Sequence, residues 1–186
     1  MFENLTEKQK KQVLSSMCIL IDNREKKNDH ILDYLDGKGI HYKMKKLNCG
    51  DYSFYIPKDL DLSIPEDISF EKDVAVERKN SVDELVGNFA SDKDRLEREF
   101  IRHNGKMVLM VEDEEFYRKL QQGEYRSEIN NKSAVGIFHS LMDRYNIQPY
   151  FVSKKFAGQF IYYHLYYYLR NRIKEDNVGS KRRKKV

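Results

Sequence analysis

Hydrophobic and polar positions along the chain follow two alternating periods, which predicts strands and helices in succession. Short apolar runs and two-residue alternation are typical of strands, whereas apolar positions three and four residues apart are typical of helices. The predicted strands cover residues 17–21, 41–47, 52–56, 73–77, 107–111 and 149–152. The predicted helices cover residues 4–16, 28–37, 81–86, 91–105, 114–121, 133–145 and 155–174. This alternation predicts an α/β fold with a mixed central sheet flanked by helices.

Several polar residues stand where a predicted helix would begin. Asn4 with Glu7, and Ser81 with Glu84, have the spacing of a capping box. Asn28 precedes another helical pattern and is predicted to cap it through its side chain. The acidic stretch between residues 57 and 70 contains two prolines and no clear period, so it is predicted to be a loop.

The composition is typical of a single globular domain. The chain has 186 residues, of which 40% are hydrophobic and 34% are charged. No apolar run approaches the roughly 18 residues that a membrane-spanning helix needs, and residues 1–12 do not resemble a secretory signal. Cys18 and Cys49 lack the spacing of a zinc site and are predicted to be reduced thiols of the core. These features indicate a cytoplasmic protein.

Positive charge is concentrated near the end of the chain. The formal net charge is +4 at pH 7, but residues 181–185 are all lysine or arginine, so the remainder is slightly acidic. Any contact with nucleic acid in the folded part must therefore be a local basic patch. The tail is predicted to be disordered over residues 176–186, and three functions are open to it: phosphate binding, nuclear import in a eukaryotic host, or solubility.

Three carboxylates stand at the ends of predicted strands. They are Asp22, Asp51 and Glu77, and Lys79 follows two residues after the last of them. Because residues i and i+2 of a strand point to one face, Glu77 and Lys79 are expected to face the same space as Asp51. Carboxylates bind hard cations such as Mg²⁺, which polarise a phosphodiester, and a lysine can position the attacking water. The same pattern also fits a solvated strand edge.

The wider sequence context favours the catalytic interpretation. Gly-Asp at residues 50–51, then Glu-Arg-Lys at residues 77–79 and Asp83, resembles the Gly-Asp…Glu-Arg-Lys-x-x-x-Asp motif of the XPF-type structure-specific nucleases. Residues 21–25, Ile-Asp-Asn-Arg-Glu, resemble the end of the first strand of that family, and the apolar strand near residue 110 also has a counterpart. The resemblance extends over most of the chain and implies a restriction-endonuclease-like α/β core.

The resemblance implies a role for each matching residue. Catalytic roles are implied for Asp22, Asp51, Glu77, Arg78, Lys79 and Asp83, and DNA contacts for Arg24, Arg78, Lys79 and Arg95. Asp51 and Glu77 would bind Mg²⁺ or Mn²⁺ directly, with a backbone carbonyl beside Glu77 as a further ligand. Asp22 would bind metal through water or complete a second metal site. Arg24 and Arg78 would contact phosphate or hold the carboxylates, and Asp83 would orient one of these arginines.

The family resemblance implies a metal-dependent DNA endonuclease acting on branched or flapped DNA in recombination, repair or replication. No helix-hairpin-helix module follows, so the chain is expected to be a small stand-alone member, of the kind found in bacteriophages and mobile elements, and nucleoid-associated. It is expected to comprise a helical extension (1–16), the nuclease domain (17–175) and the tail (176–186). The sequence has no Gly-rich phosphate loop, so no nucleotide cofactor is expected. A non-catalytic DNA-binding or assembly module of the same fold and a nuclease acting on RNA are the alternatives.

The last predicted helix carries more aromatic surface than one sheet contact requires. One stripe contains Phe156, Phe160, Tyr163 and Tyr167, and a second contains Ile161, Leu165 and Tyr168. A helix packed on one side of a sheet needs only one such stripe. The second stripe fits a broadly buried helix, a stacking surface for bases, or a homodimer interface of the kind that the XPF-type family forms through this domain.

Overall fold

The computed structural model describes the backbone of residues 2–183 and the side chains of residues 2–177. Its strands are β1 (Cys18–Asp22), β2 (Tyr42–Lys45), β3 (Tyr52–Ile56), β4 (Ile68–Ser69), β5 (Val74–Lys79), β6 (Lys106–Val111) and β7 (Gln148–Phe151). Its helices are α1 (Glu7–Ser15), α2 (Asp29–Gly37), α3 (Val82–Ser91), α4 (Lys93–Arg102), α5 (Phe116–Gln122), α6 (Asn131–Arg144) and α7 (Ala157–Arg183). Strands and helices therefore alternate as the hydrophobic periods predicted.

The strands form one mixed sheet in the order β2-β1-β3-β5-β6-β7, with β4 paired on β3. Strand β1 is parallel to β2, and β6 is parallel to both β5 and β7. Between these two groups, β3 runs antiparallel to β1 and to β5. The carboxyl ends of β1 and β5 therefore meet the amino end of β3 at one edge of the sheet. The predicted α/β class with a mixed sheet flanked by helices is confirmed.

Two apolar cores lie on opposite faces of this sheet. On one face α1, α2 and α7 pack through side chains such as Val13, Ile31 and Leu165. On the other face α3 to α6 pack through side chains such as Leu85 and Phe138. Burial of each such side chain contributes about 1.5–3 kcal/mol to folding. The sheet is consequently fixed from both sides, which keeps its charged edge in place.

Alternation along β5 sends neighbouring side chains into different cores. Val76 lies in the core beneath α2 and α7, whereas Ala75 lies in the core beneath α3 to α6. The strand stays paired with β6 as far as Lys79, so Glu77 and Lys79 both belong to it. By the same alternation Glu77 and Lys79 point to the side of α3 and α4, whereas Arg78 points to the side of α2.

The first helix begins later than the sequence predicted. Its capping box is formed by Thr6 and Gln9, whose side chains bond reciprocally to each other's backbone, and not by Asn4 and Glu7. Asn4 has a left-handed backbone with φ of 60°, whereas a residue that caps a helix is normally extended. Helix α1 therefore starts at Glu7.

Three further local predictions are corrected. The side chain of Asn28 does not cap α2, because it is buried and donates instead to the hydroxyl of Tyr52 at 3.2 Å. Helix α6 starts earlier than Ser133, because Asn130 provides the cap. The predicted loop between residues 57 and 70 contains a 3-10 turn and strand β4.

Helix α7 is longer than predicted. It continues to Arg183, roughly two turns beyond its expected end. The side-chain amide of Asn177 donates to the carbonyl of Phe2 at 2.7 Å, which ties the extension to the start of the chain. Disorder was expected over residues 176–186; the backbone is helical up to Arg183, and residues 184–186 lie outside the described part. Within the described residues no helix, α7 included, is long and apolar enough to cross a membrane.

Candidate active site

The ends of three strands converge on Asp51. Its amide donates to the carbonyl of Val76 at 2.9 Å, and its carbonyl accepts from the amide of Asp22 at 2.8 Å. The residue before it, Gly50, has φ of 69°, and a Cβ atom there would lie 2.9 Å from the Cβ of Ala75. A glycine is therefore needed for both the turn and the close approach to β5. The Gly-Asp motif thus brings Asp51 against the end of β5.

Glu77 and Lys79 form a buried ion pair at this point. The ammonium of Lys79 lies 2.6 Å from a carboxylate oxygen of Glu77, and both side chains are less than a tenth exposed. Burial opposes the charge on Lys79, but the negative charges of Glu77 and then Asp51 outweigh it and raise the pKa of the ammonium above its usual range. Lys79 is consequently a fixed cation over the whole physiological pH range.

Asp51 carries a strongly perturbed carboxyl group. Burial, followed by repulsion from the charge of Glu77, raises its pKa well above the usual range, although the charge of Lys79 and a hydrogen bond from the backbone amide of Arg78 (2.8 Å) oppose the shift. Two carboxylates that repel each other favour either a proton or a cation between them. The pair therefore suits a bound divalent ion better than it suits two free negative charges.

The donor set fits an oxygen-liganded ion only in part. Asp51 and Glu77 supply carboxylate oxygens, which Mg²⁺ and Mn²⁺ prefer. In the described part of the chain no group of three or more His, Cys, Asp or Glu side chains could hold an ion. An ion at these two carboxylates would therefore need backbone carbonyl groups and water to complete its ligands, and Mg²⁺ commonly keeps several waters.

Asp22 lies next to this cluster but is already engaged. One of its oxygens accepts from the backbone amide and Nε of Arg24, both at 2.8 Å. Its other oxygen accepts from Nη2 of Arg24 at 2.7 Å and from the amide of Leu47 at 2.8 Å. Burial opposes its charge, but the hydrogen bonds from Arg24 outweigh this and lower the pKa of Asp22. Asp22 therefore fixes Arg24, whose side chain is 61% exposed, at the rim of the groove.

Arg78 points away from the groove. Its Nε and Nη2 donate to the two oxygens of Glu112 at 2.8 and 2.9 Å, and Nη2 also donates to the carbonyl of Lys27 at 3.0 Å. Its Nη1 lies 3.2 Å from Glu25. Of the two expected roles, contact with phosphate or holding carboxylates, the geometry supports the second. The carboxylates that it holds are Glu112 and Glu25, while its backbone amide holds Asp51.

Arg95 lines the active-site groove, whereas Asp83 does not. The expected contact of Asp83 with Arg24 or Arg78 is wrong, because its two oxygens accept from the amide and Nε of Arg126 at 2.7 and 3.0 Å. Arg95 lines the groove, as its expected DNA contact requires, and also lies 3.2 Å from Asp92 on its own helix. Helix α4 thus presents one basic face to the groove.

Several residues that the motifs did not indicate also contribute to the site. The groove has a volume of about 240 Å³ and is also lined by Cys49, Glu84, Glu99 and Arg102. Burial, followed by repulsion from the charge of Glu77, raises the pKa of Glu99. Burial and the same charge raise the pKa of Cys49 to about 12, so its thiol is uncharged at neutral pH. Helical spacing from Arg95 to Glu99 and Arg102 was the sequence signal that could have identified this face.

A larger groove of about 780 Å³ lies along α7 and β7, where Tyr150, Phe160, His164 and Tyr168 are among its lining residues. It has no carboxylate cluster of the kind found at Asp51. Burial lowers the pKa of His164 to about 4, so this imidazole is neutral at physiological pH. The larger groove is therefore unsuited to metal-assisted hydrolysis, and the small polar groove at the sheet edge is the candidate active site.

Comparisons with known proteins identify a family and a shared fold. Residues 21–171 match the family described as ERCC4 domain. Two solved structures share the fold: XPF from Aeropyrum pernix, 18% identical with a TM-score of 0.59, and XPF from Aeropyrum pernix in complex with DNA, 17% identical with a TM-score of 0.58. These matches cover 85% and 83% of this chain and 69% and 66% of the solved chains. No protein with a curated description matches.

Proposed function

The chain belongs to the ERCC4 domain family, and from this membership we propose that it is a divalent-metal-dependent endonuclease that hydrolyses phosphodiester bonds in DNA. The proposed substrates are branched or flapped DNA molecules that arise in recombination, repair or replication, in a phage or bacterial setting. One solved structure with this fold is described as a complex with DNA, which supports DNA as the substrate.

One observation carries the proposal: Asp51, Glu77 and Lys79 come together in a single polar groove at the sheet edge. Burial, followed by repulsion from the charge of Glu77, raises the pKa of Asp51, while Lys79 retains its positive charge. Such a pair of carboxylates beside a fixed cation is suited to phosphoryl chemistry, in which negative charge accumulates on the reacting phosphate.

We propose that Asp51 and Glu77 hold Mg²⁺ or Mn²⁺, with a backbone carbonyl near Glu77 as a further ligand. The ion, when bound, would polarise the scissile phosphate and lower the pKa of the attacking water. Lys79 would orient this water and stabilise charge on the phosphate. Asp22 would reach the ion through water, because both of its oxygens already accept protein hydrogen bonds.

The arginines would divide into two groups in this proposal. Arg24 and Arg95 lie on the rim of the groove with exposed side chains, and they would contact phosphates of the DNA. Arg78 would act indirectly, because its guanidinium is saturated by Glu112, Glu25 and a backbone carbonyl. It would position Asp51 through its amide.

We also propose a homodimer formed through α7. Ile161 and Leu165 of the second stripe are fully buried, whereas Phe156, Tyr163 and Tyr167 are 49%, 44% and 49% exposed. Changing both Tyr163 and Tyr167 to glutamate is expected to halve the mass measured by light scattering, with Tyr117→Glu as the control. A wild-type mass equal to one chain at working concentration would exclude the dimer.

A cleavage assay tests the proposed activity. Matched linear, flap, fork and four-way DNA substrates would be incubated with Mg²⁺, Mn²⁺ or EDTA, beside Lys79→Ala and the exposed-lysine control Lys58→Ala. Metal-dependent cutting confined to branched substrates, retained by the control and lost in Lys79→Ala, is the expected result. Cutting of linear and branched DNA alike would support the proposed hydrolysis and contradict the proposed preference for branched DNA. DNA binding without cutting under any condition would instead establish a non-catalytic module.

A further inference from the structure

A second groove opens beside the candidate active site. It has a volume of about 520 Å³ and lies between the β1–α2 loop and the start of α3. Arg24, Glu25, Arg78 and Glu84 line both grooves, so the two form one continuous depression. A ligand bound at the active site could therefore extend directly into this second groove.

Cations dominate the exposed surface of the second groove. Lys26 and Lys27 are exposed and have no acidic partner among the described residues. Arg126 is 87% exposed on its side chain; only its amide and Nε contact Asp83, which leaves both terminal nitrogens available to a ligand. The groove therefore offers three cationic groups to a ligand.

The acidic residues of this groove are largely neutralised by protein cations. Glu25 lies 3.2 Å from the guanidinium of Arg78, and Asp83 accepts two hydrogen bonds from Arg126. Because the chain outside its basic tail is slightly acidic, this surface is a local exception and not part of a general positive field. Local positive charge in an acidic protein indicates a specific anionic ligand.

The loop that carries these lysines is held rigidly. Arg78 donates to the carbonyl of Lys27 at 3.0 Å, and its guanidinium is itself fixed by both oxygens of Glu112. At the end of the loop, Asn28 donates to the hydroxyl of Tyr52 at 3.2 Å. A loop anchored in this way presents its ammonium groups with little loss of backbone entropy on binding.

We propose that this second groove binds the DNA strand on one side of the scissile phosphate, with Lys26, Lys27 and Arg126 contacting successive phosphates. This inference rests on the proposed nuclease function. Continuity with the active-site groove gives the strand its path, and the cations provide contacts that depend on the phosphates and not on the base sequence. The groove therefore determines which side of the cut must carry nucleic acid.

Binding measurements with a Lys26→Gln/Lys27→Gln variant test this inference. Fluorescence anisotropy with fork DNA in EDTA, over a range of salt concentrations, would compare it with the wild type and with a Lys8→Gln/Lys11→Gln variant. The control changes two exposed lysines of α1, so both variants have the same net charge. The groove variant is expected to bind roughly tenfold more weakly and to lower the salt slope by about 1.4–1.8, since each phosphate contact contributes about 0.7–0.9.

The possible outcomes separate this inference from the proposed function. If the groove variant binds like the wild type, or if both variants weaken equally, the groove has no specific role, while metal-dependent cleavage by the wild type would keep the nuclease proposal. If the wild type neither binds nor cleaves DNA, the nuclease proposal itself fails. A single neutral methylphosphonate in the DNA should weaken binding by the wild type only when it lies on one side of the cut. The same replacement should weaken binding by the groove variant to a smaller extent.

Discussion

The charged side chains on the two sides of β5 differ in whether protein groups saturate them. On the α3–α4 side, Glu77 and Lys79 pair with each other beside Asp51 in a solvent-connected groove. On the α2 side, Arg78 and Glu112 form a bidentate pair whose side chains are 3% and 1% exposed. The first set retains capacity for a ligand, whereas the second is saturated by protein groups. The contrast indicates that the α3–α4 side carries the reactive groups and that the α2 side holds them in position.

The largest effect on the cleavage rate is expected from variants that remove the charged groups of the active-site groove. Asp51→Asn and Lys79→Ala are each expected to lower the cleavage rate by about 10³-fold or more, since one loses a charged ligand and the other the fixed cation. Single-turnover cleavage would measure the rate, and circular dichroism would show the fold unchanged. A fully active Lys79→Ala protein would remove this residue from the mechanism.

A second test changes the Arg78–Glu112 pair on the α2 side of β5. Glu112→Gln leaves the buried guanidinium of Arg78 with Glu25 as its remaining charged partner, which is expected to cost about 3 kcal/mol in the free energy of unfolding. Cleavage should fall by roughly 10- to 100-fold, because the guanidinium of Arg78 also holds the carbonyl of Lys27 beside the groove. Glu114→Gln, on an exposed neighbour, is the control.

A positioning role requires more than a loss of stability. Replacing the pair together, as Arg78→Met with Glu112→Leu, should restore much of the unfolding free energy, because apolar replacements remove both buried charges. Cleavage should stay low, since the loop at Lys27 loses the guanidinium that holds its carbonyl. Recovery of both stability and activity in the double variant would assign the pair a structural role alone.

The raised pKa of Asp51 leads to a smaller effect of opposite sign. A carboxyl group whose pKa is higher in the folded than in the unfolded state costs stability as pH rises through the folded value. Asp51→Asn should therefore stabilise the metal-free protein at pH 8, and the gain should vanish near pH 4. Chemical unfolding in EDTA at both pH values measures this. An equal or lower stability of the variant at pH 8 would contradict it.

The smallest effect is expected at Asp83. Its partner Arg126 is largely exposed, so the pair contributes less than about 1 kcal/mol to stability. Asp83→Asn should shift the unfolding midpoint only slightly and should affect cleavage far less than Asp51→Asn does. A loss as large as that of Asp51→Asn would restore Asp83 to the catalytic group.

Much of the fold and the position of the site could be predicted from the sequence. Apolar runs located the sheet, and the Gly-Asp and Glu-Arg-Lys motifs indicated the XPF-type resemblance that the family match and the shared fold confirm. The partners of Arg78 could not be predicted, because no local motif relates its guanidinium to Glu112 and Glu25. Glu112 was missed for the same reason: its partner lies 34 positions earlier in the chain.

The antiparallel placement of β3 between two parallel groups has a consequence for biosynthesis. Asp22, Asp51 and Val76 are joined by backbone hydrogen bonds, although they come from well-separated parts of the chain, and β5 is further braced by β6. Such non-local pairing forms late, because distant segments must first be brought together. A ribosome-bound chain that has not yet released β6 therefore has no assembled groove and no proposed cutting ability.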